Sequence, residues 1–156
     1  MIRQATPEDV PHIHHLLTEL AAFVGESAHY RANLESMRRH GFGPDRVFHT
    51  LLAWHQGEAV GLSNFFPDYS TWRGMPGVYV LDLYVSATVR GSGLGRELLT
   101  ETLRHAHADW EAGYVRLTVH NHNEAATRFY RDLGFEAADG EKLLTVSRDD
   151  LTSRVQ

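Results

Sequence analysis

The stretch Tyr79-Val80-Leu81-Asp82-Leu83-Tyr84-Val85-Ser86-Ala87-Thr88-Val89-Arg90-Gly91-Ser92-Gly93-Leu94-Gly95-Arg96 decides the fold. With Val78, its first part is β-branched and aromatic and reads as a central strand over 78–85. Leu94, Leu98, Leu99, Leu103 and Ala106 then recur at helical spacing. A strand that enters a glycine loop opening a helix has a physical use. Glycines let backbone approach a ligand, and the free amides of the first helical turn attract phosphate or pyrophosphate. Arg90 and Arg96 flank the loop with full charges. A Walker loop requires Gly-Lys followed by Ser or Thr, which Gly95-Arg96-Glu97 does not supply. The dinucleotide pattern Gly-x-Gly-x-x-Gly fails at Arg96 from one start and at Leu98 from the other. A glycine turn that caps a helix and binds nothing stays open on this motif alone.

Outward from this stretch the order reads β-α-α-β-β-β-α-β-α-β-β. Residues 1–4 form a first strand. Thr6 is an N-cap, with Pro7 at the first helical position and Glu8 and Asp9 in the first turn. Val10, Ile13, Leu16, Leu17 and Leu20 share one face of a helix ending near Phe23. A second helix covers 31–40, closed by Gly41. Strands over 47–54 and 59–66 form a hairpin about Gln56-Gly57. Two prolines and glycines make 67–77 a loop. A strand over 115–119, a helix over 124–133 closed by Gly134, and strands over 135–137 and 142–147 complete a single domain, 1–156. The class is α/β (α+β), built round one twisted sheet.

Of the 156 residues 42% are hydrophobic and 22% charged, the balance of a globular protein. No apolar run approaches the roughly 20 residues of a membrane span, and no leader pattern precedes the first helix. The chain has no cysteine. That excludes disulfides, thiolate metal sites and cysteine nucleophiles, and makes the cytoplasm the default compartment. A formal charge of −5 argues against nucleic acid as partner and suits a cationic small substrate.

Arg90, Gly93 and Gly95 meet a third pattern, Arg-x-x-Gly-x-Gly, the acyl-CoA signature of the GNAT acetyltransferases. Around it the chain resembles the spermidine/spermine and thialysine acetyltransferase branch of that superfamily. The likeness includes Gly41-Phe42-Gly43 followed by Phe48-His49, then Tyr69 and Trp72-Arg73-Gly74. It continues through Tyr79 to Val85, Asn123-Glu124-Ala125-Ala126-Thr127-Arg128-Phe129-Tyr130 and Gly140-Glu141-Lys142-Leu143. The resemblance implies a GNAT fold: a mixed, mostly antiparallel twisted sheet, splayed between its fourth and fifth strands, with helices on both faces. It implies acetyl-CoA as co-substrate, its pantetheine against Leu83, Tyr84 and Val85. The pyrophosphate then falls to Arg90, Gly91, Ser92, Gly93, Leu94, Gly95 and Arg96, with Asn123, Ala126 and Tyr130 also at the cofactor. A homodimer, a small-molecule amine acceptor and no metal belong to the same expectation.

Amine attack on a thioester needs a neutral amine, a donor to the oxyanion and an acid for the thiolate. By resemblance the Val85 backbone N–H serves the oxyanion and Tyr130 is the acid; a phenol titrating near 10 keeps its proton at neutral pH. Asn123 binds the pantetheine arm, caps its helix, or does both. The sequence departs from the branch at the amine. Polyamine acetyltransferases carry a glutamate where this chain has Leu81. Asp82 stands next to it, but neighbouring strand residues face opposite ways, so only a bulge would turn it into that role. Phe23 and Val24 replace a Tyr-Glu pair, leaving Glu26 as the nearest acid. His120 and His122 are alternative bases. Trp72 and Tyr69 either wall an acceptor pocket as cation–π surfaces or plug the end of the sheet. His120 with His122, and His12 with His15, lack a third ligand in sequence, so no metal is expected. Two other readings share this core: acetylation of a protein amine, and an acyl-CoA-binding module that has lost catalysis.

Overall fold

The computed structural model describes residues 1–155. Five strands form one sheet in the order β1-β2-β3-β4-β5: β1 Ile2–Gln4, β2 His49–His55, β3 Glu58–Ser70, β4 Met75–Val85 and β5 Val115–Leu117. The first three pairings are antiparallel and β4–β5 is parallel. The backbone divides into two compact units, Met1–Thr118, which holds the whole sheet, and the segment from Val119 on.

In the first unit Pro7–Asp9 form a tight turn that feeds α1, Val10–Phe23. The buried Asp9 carboxylate accepts from the Thr6 amide at 2.8 Å and from both Arg3 guanidinium nitrogens at 2.6 and 2.9 Å. That ties the helix start to β1. Val10, Ile13, Leu16 and Leu17 bury against Leu52, Leu62 and Tyr84 on one face of the sheet. α2 spans Leu34–Phe42, starting three residues later than the expected 31–40 because Asn33 caps it, accepting from the Ser36 amide at 2.9 Å. Gly41 does not end α2. It lies inside it, where a Cβ would stand 3.0 Å from the Phe48 ring, so it answers to close packing rather than termination. α3, Leu94–Trp110, covers the opposite sheet face, where Thr102 donates to Ser63 Oγ at 2.8 Å.

The expected loop over 67–77 shrinks to a turn at 71–74, and β3 runs on through Pro67. β2 begins at His49 opposite Phe65, so past Phe65 β3 has no β2 partner and proline is tolerated there. The strand expected over 115–119 stops at Leu117.

From Val119 on, α4 spans Glu124–Asp132. The strands expected over 135–137 and 142–147 do not form among the described residues. Leu143 and Leu144 are 80% and 86% exposed. β-propensity describes fit to a pleated neighbour, and these residues have no neighbouring strand. Ser147 opens a helix that the apolar pattern does not signal, α5, Arg148–Val155, accepting from the Asp150 amide at 3.1 Å. No described helix is long and apolar enough to cross a membrane.

Candidate functional site

β4 pairs with β5 only at Val78–Val80, so on that side Leu81–Val85 has no strand partner. On its other side β4 stays laddered to β3 as far as Val85 opposite Gly61. The sheet is therefore splayed between its fourth and fifth strands, and the open edge leads into the glycine loop. Gly91 and Gly93 take φ of +79° and +89°, the left-handed region that favours glycine, with no atom within 4 Å of where a Cβ would stand. Gly93 is the N-cap of α3, so the amides of Leu94, Gly95 and Arg96 lack intrahelical acceptors. Ser92 Oγ donates to the Val89 carbonyl at 2.7 Å and sets the turn.

Arg90 does not stand over this loop. Its Nε donates to the Val85 carbonyl at 2.9 Å, and the guanidinium lies 4.1 Å above the Phe23 ring and 5.4 Å from that of Tyr84. Arg96 is exposed on the first turn of α3. Tyr84 is buried in the α1 core. Ser86 Oγ donates to Glu19 Oε2 at 2.9 Å, fixing the end of β4 to α1.

A β-bulge governs the middle of β4. Asn64 pairs with Asp82 and Phe65 with Val80, which leaves Leu81 as the extra residue. Val80 thereby follows Phe65 to the α3 face, while Asp82 follows Asn64 to the α1 face. In an unbroken strand, residues two apart would share a face. The bulge leaves the Leu81 side chain 48% exposed and turns Asp82 inward. Asn64 Nδ2 donates to Asp82 Oδ2 at 3.0 Å, and Thr50 Oγ1 donates to Asn64 Oδ1 at 2.6 Å. Burial raises the Asp82 carboxyl above its ordinary range, with the Asn64 hydrogen bond pulling the other way. The Tyr30 hydroxyl is pushed up to about 12, by burial first and by the negative charge of Asp82 second. Its oxygen is buried without a hydrogen-bond partner among the described residues. Tyr30 escapes sequence reading because it lies in a stretch without periodicity; a lone aromatic among polar residues is its only signal.

Other expected residues are placed as follows. Glu26, in the turn after α1, pairs with His29 Nδ1 at 2.5 Å. Trp72 is 99% exposed at the β3–β4 hairpin tip. From the start of β4 at Met75, Asp82 lies seven residues on, roughly 23 Å of strand rise. Trp72 and the exposed Tyr69 therefore stand at the opposite end of β4 from Asp82. In the second unit Asn123 Oδ1 accepts from the Ala126 amide at 3.1 Å and caps α4. Tyr130 lies seven residues further on, its ring edge-on to Phe129 and Phe135 at 5.1 and 5.4 Å. Burial pushes its hydroxyl up to about 12, so it is protonated at neutral pH. The exposed His120 and His122 rings stack 5.3 Å apart.

Several known proteins similar to this chain in sequence are acetyltransferases. The model of the acetyltransferase (GNAT) family matches residues 11–135. The thialysine N-epsilon-acetyltransferase of Bos taurus is 32% identical over 142 residues, covering 86% of this chain and 82% of that protein. The spermidine/spermine N(1)-acetyltransferase-like protein 1 of Homo sapiens is 26% identical over 96% of this chain, which spans 23% of that longer protein. An integron cassette protein from V. cholerae superimposes with a TM-score of 0.80 at 16% identity, over 100% of this chain and 97% of that one, a likeness of fold alone. On the family match, which takes in both the splayed sheet and the glycine loop, the chain belongs to the GNAT family and is an N-acetyltransferase.

Proposed function

We propose that the chain transfers the acetyl group of acetyl-CoA to a primary amine of a small molecule, by direct attack in a ternary complex. One observation carries the acceptor side of this reading. A desolvated carboxylate, Asp82, and an unpartnered hydroxyl, Tyr30, lie on the same side of the sheet. An ammonium satisfies both: it pairs with the charge and donates to the free oxygen. The names of the relatives, thialysine and spermidine/spermine acetyltransferases, support an acceptor of the lysine-like or polyamine-like kind.

The donor side rests on the glycine loop and the open edge of β4. Gly91 to Arg96 would hold the pyrophosphate through free amides and the Arg96 charge. Leu83, Tyr84 and Val85 would pair with the pantetheine along the edge that β5 leaves free. Arg90 would exchange the Val85 carbonyl for phosphate, and Asn123 and Ala126 would serve the same arm from α4.

Asp82 binds the ammonium and takes its proton through water. The Val85 N–H donates to the oxygen of the thioester carbonyl as the C–N bond forms. Tyr130 gives its proton to the sulfur as the C–S bond breaks, yielding the acetamide and free thiol. The exposed segment around Leu143 and Leu144 supports a homodimer as the working assembly.

The test is thiol release from acetyl-CoA with a panel of diamines, polyamines, lysine analogues and amino sugars. Turnover with at least one amine is expected, and Tyr130→Phe lowers kcat by about 100-fold while leaving acetyl-CoA affinity within about twofold. Binding of CoA without turnover across the panel would sink the reading, and an unchanged Tyr130→Phe rate removes Tyr130 from the acid role.

A further inference from the structure

A second cluster of chemistry-bearing side chains lies on the opposite face of the sheet from Asp82. His49, the first residue of β2, brings its ring over Phe65 at 5.5 Å and to 5.7 Å from the ring of His105 on α3. Asp109 follows His105 by four residues, one helical turn, on the same face of α3. One ligand atom from each of His49, His105 and Asp109 lies within 4.8 Å of the other two.

The contacts inside the cluster are incomplete as hydrogen bonds. His105 Nε2 is 3.2 Å from Asp109 Oδ2, yet that nitrogen is buried and has no hydrogen-bond partner among the described residues. The two groups are close without being aligned as donor and acceptor, which leaves the His105 nitrogen free to ligate. Their spacing also matches the roughly 3.3 Å between neighbouring ligand atoms of a tetrahedral zinc-like ion. A positive charge stands at one edge of the cluster: Arg46, in the segment before β2, puts Nη2 3.1 Å from His49 Nδ1. Both α3 ligands sit in the last turns of Leu94–Trp110, where the helix dipole favours positive charge.

We propose that His49, His105 and Asp109 bind one divalent transition-metal ion of the imidazole-preferring class, with Arg46 as the cation it displaces. The His49 ring closes on the other two ligands once Arg46 leaves, and the fourth position goes to water. The site stitches the start of β2 to the end of α3. It stands apart from the proposed amine and acetyl-CoA residues and does not depend on that reading. Sequence spacing does not reveal it, because its ligands come from elements more than fifty residues apart.

The chain has eleven histidines, so adventitious binding is the competing outcome and the test is a difference between variants. Metal-free full-length protein is titrated with Co2+, followed by visible absorption, and with Zn2+ by calorimetric competition. One ion per chain is expected, with a rise in Tm. Asp109→Asn, an exposed position that leaves folding untouched, weakens binding at least about tenfold, and His105→Ala weakens it further. Arg46→Ala tightens it. His120→Ala with His122→Ala leaves it unchanged. Equal affinity in wild type and Asp109→Asn overturns the proposal, as does loss of binding in the His120/His122 variant. Circular dichroism of each metal-free variant separates lost ligands from lost fold.

Discussion

Asp82 and Asp9 are both buried or half-buried carboxylates, and their surroundings act on them in opposite directions. At Asp82 burial outweighs the single hydrogen bond from Asn64, so the charged form costs the folded state free energy. Asp82→Asn should therefore raise Tm at neutral pH while lowering kcat/KM by about 100-fold or more. A fall in Tm, or an unchanged rate, contradicts this account. The Asn64 hydrogen bond favours the charged form, so Asn64→Ala should move the acid limb of kcat/KM to higher pH. The acceptor amine's own ionisation cannot produce that shift, because the substitution does not touch it. At Asp9 the Arg3 hydrogen bonds dominate and hold the carboxyl down to about 2, from 3.8. The unfolded chain then binds more protons between those values, so the contribution is complete above about pH 3.8 and is lost as pH falls through about 2. It amounts to roughly 2 kcal/mol. Asp9→Asn should lose about that much at pH 7 in denaturant melts and little at pH 2; an equal loss at both pH values would place its origin in packing.

At the scale of elements, helices built on long apolar periodicity were the most legible parts of the chain. α1 and α3 lie where Val10 to Leu20 and Leu94 to Ala106 place them. The glycine loop was equally plain, because two left-handed glycines before a helix are a local requirement. The direction of Asp82 was not. It depends on one extra residue, Leu81, opposite the Asn64–Phe65 step, and a bulge is a property of two strands that neither one announces. Tyr30 was hidden because partners distant in sequence decide its burial. The short 71–74 turn was hidden because Pro67 and Pro76 read as loop, although β3 and β4 ladder directly across it. The loop carries its own prediction. Gly93 sits at φ +89° with open space around it, so Gly93→Ala is strained in backbone rather than in packing. A strain of about 1–2 kcal/mol, relieved by moving the loop, should weaken acetyl-CoA binding by roughly tenfold. kcat at saturating acetyl-CoA should stay close to wild type; a loss confined to kcat would place the loop's role elsewhere.

Across the whole molecule, the sheet of the first unit follows from pairing rules the chain states openly. Two consecutive hairpins give β2-β3-β4, and the α3 crossover brings β5 parallel to β4. After Val119 the same rules mislead. Lys142-Leu143-Leu144-Thr145-Val146 has the composition of a strand, but it has no ladder among the described residues and keeps Leu143 and Leu144 in solvent. A strand-like apolar segment without a partner is a template for pairing between chains. A second copy supplies a partner of matching composition, and the homodimer proposed above places these leucines at its interface. Light scattering coupled to size exclusion should give twice the 17.7 kDa chain mass. Leu144→Glu puts a charge where that contact would be desolvated, and it should shift the protein to monomer at micromolar concentration with its circular dichroism spectrum preserved. A wild-type chain that elutes as a monomer at all concentrations removes the dimer. A Leu144→Glu protein that stays dimeric moves the interface away from this segment.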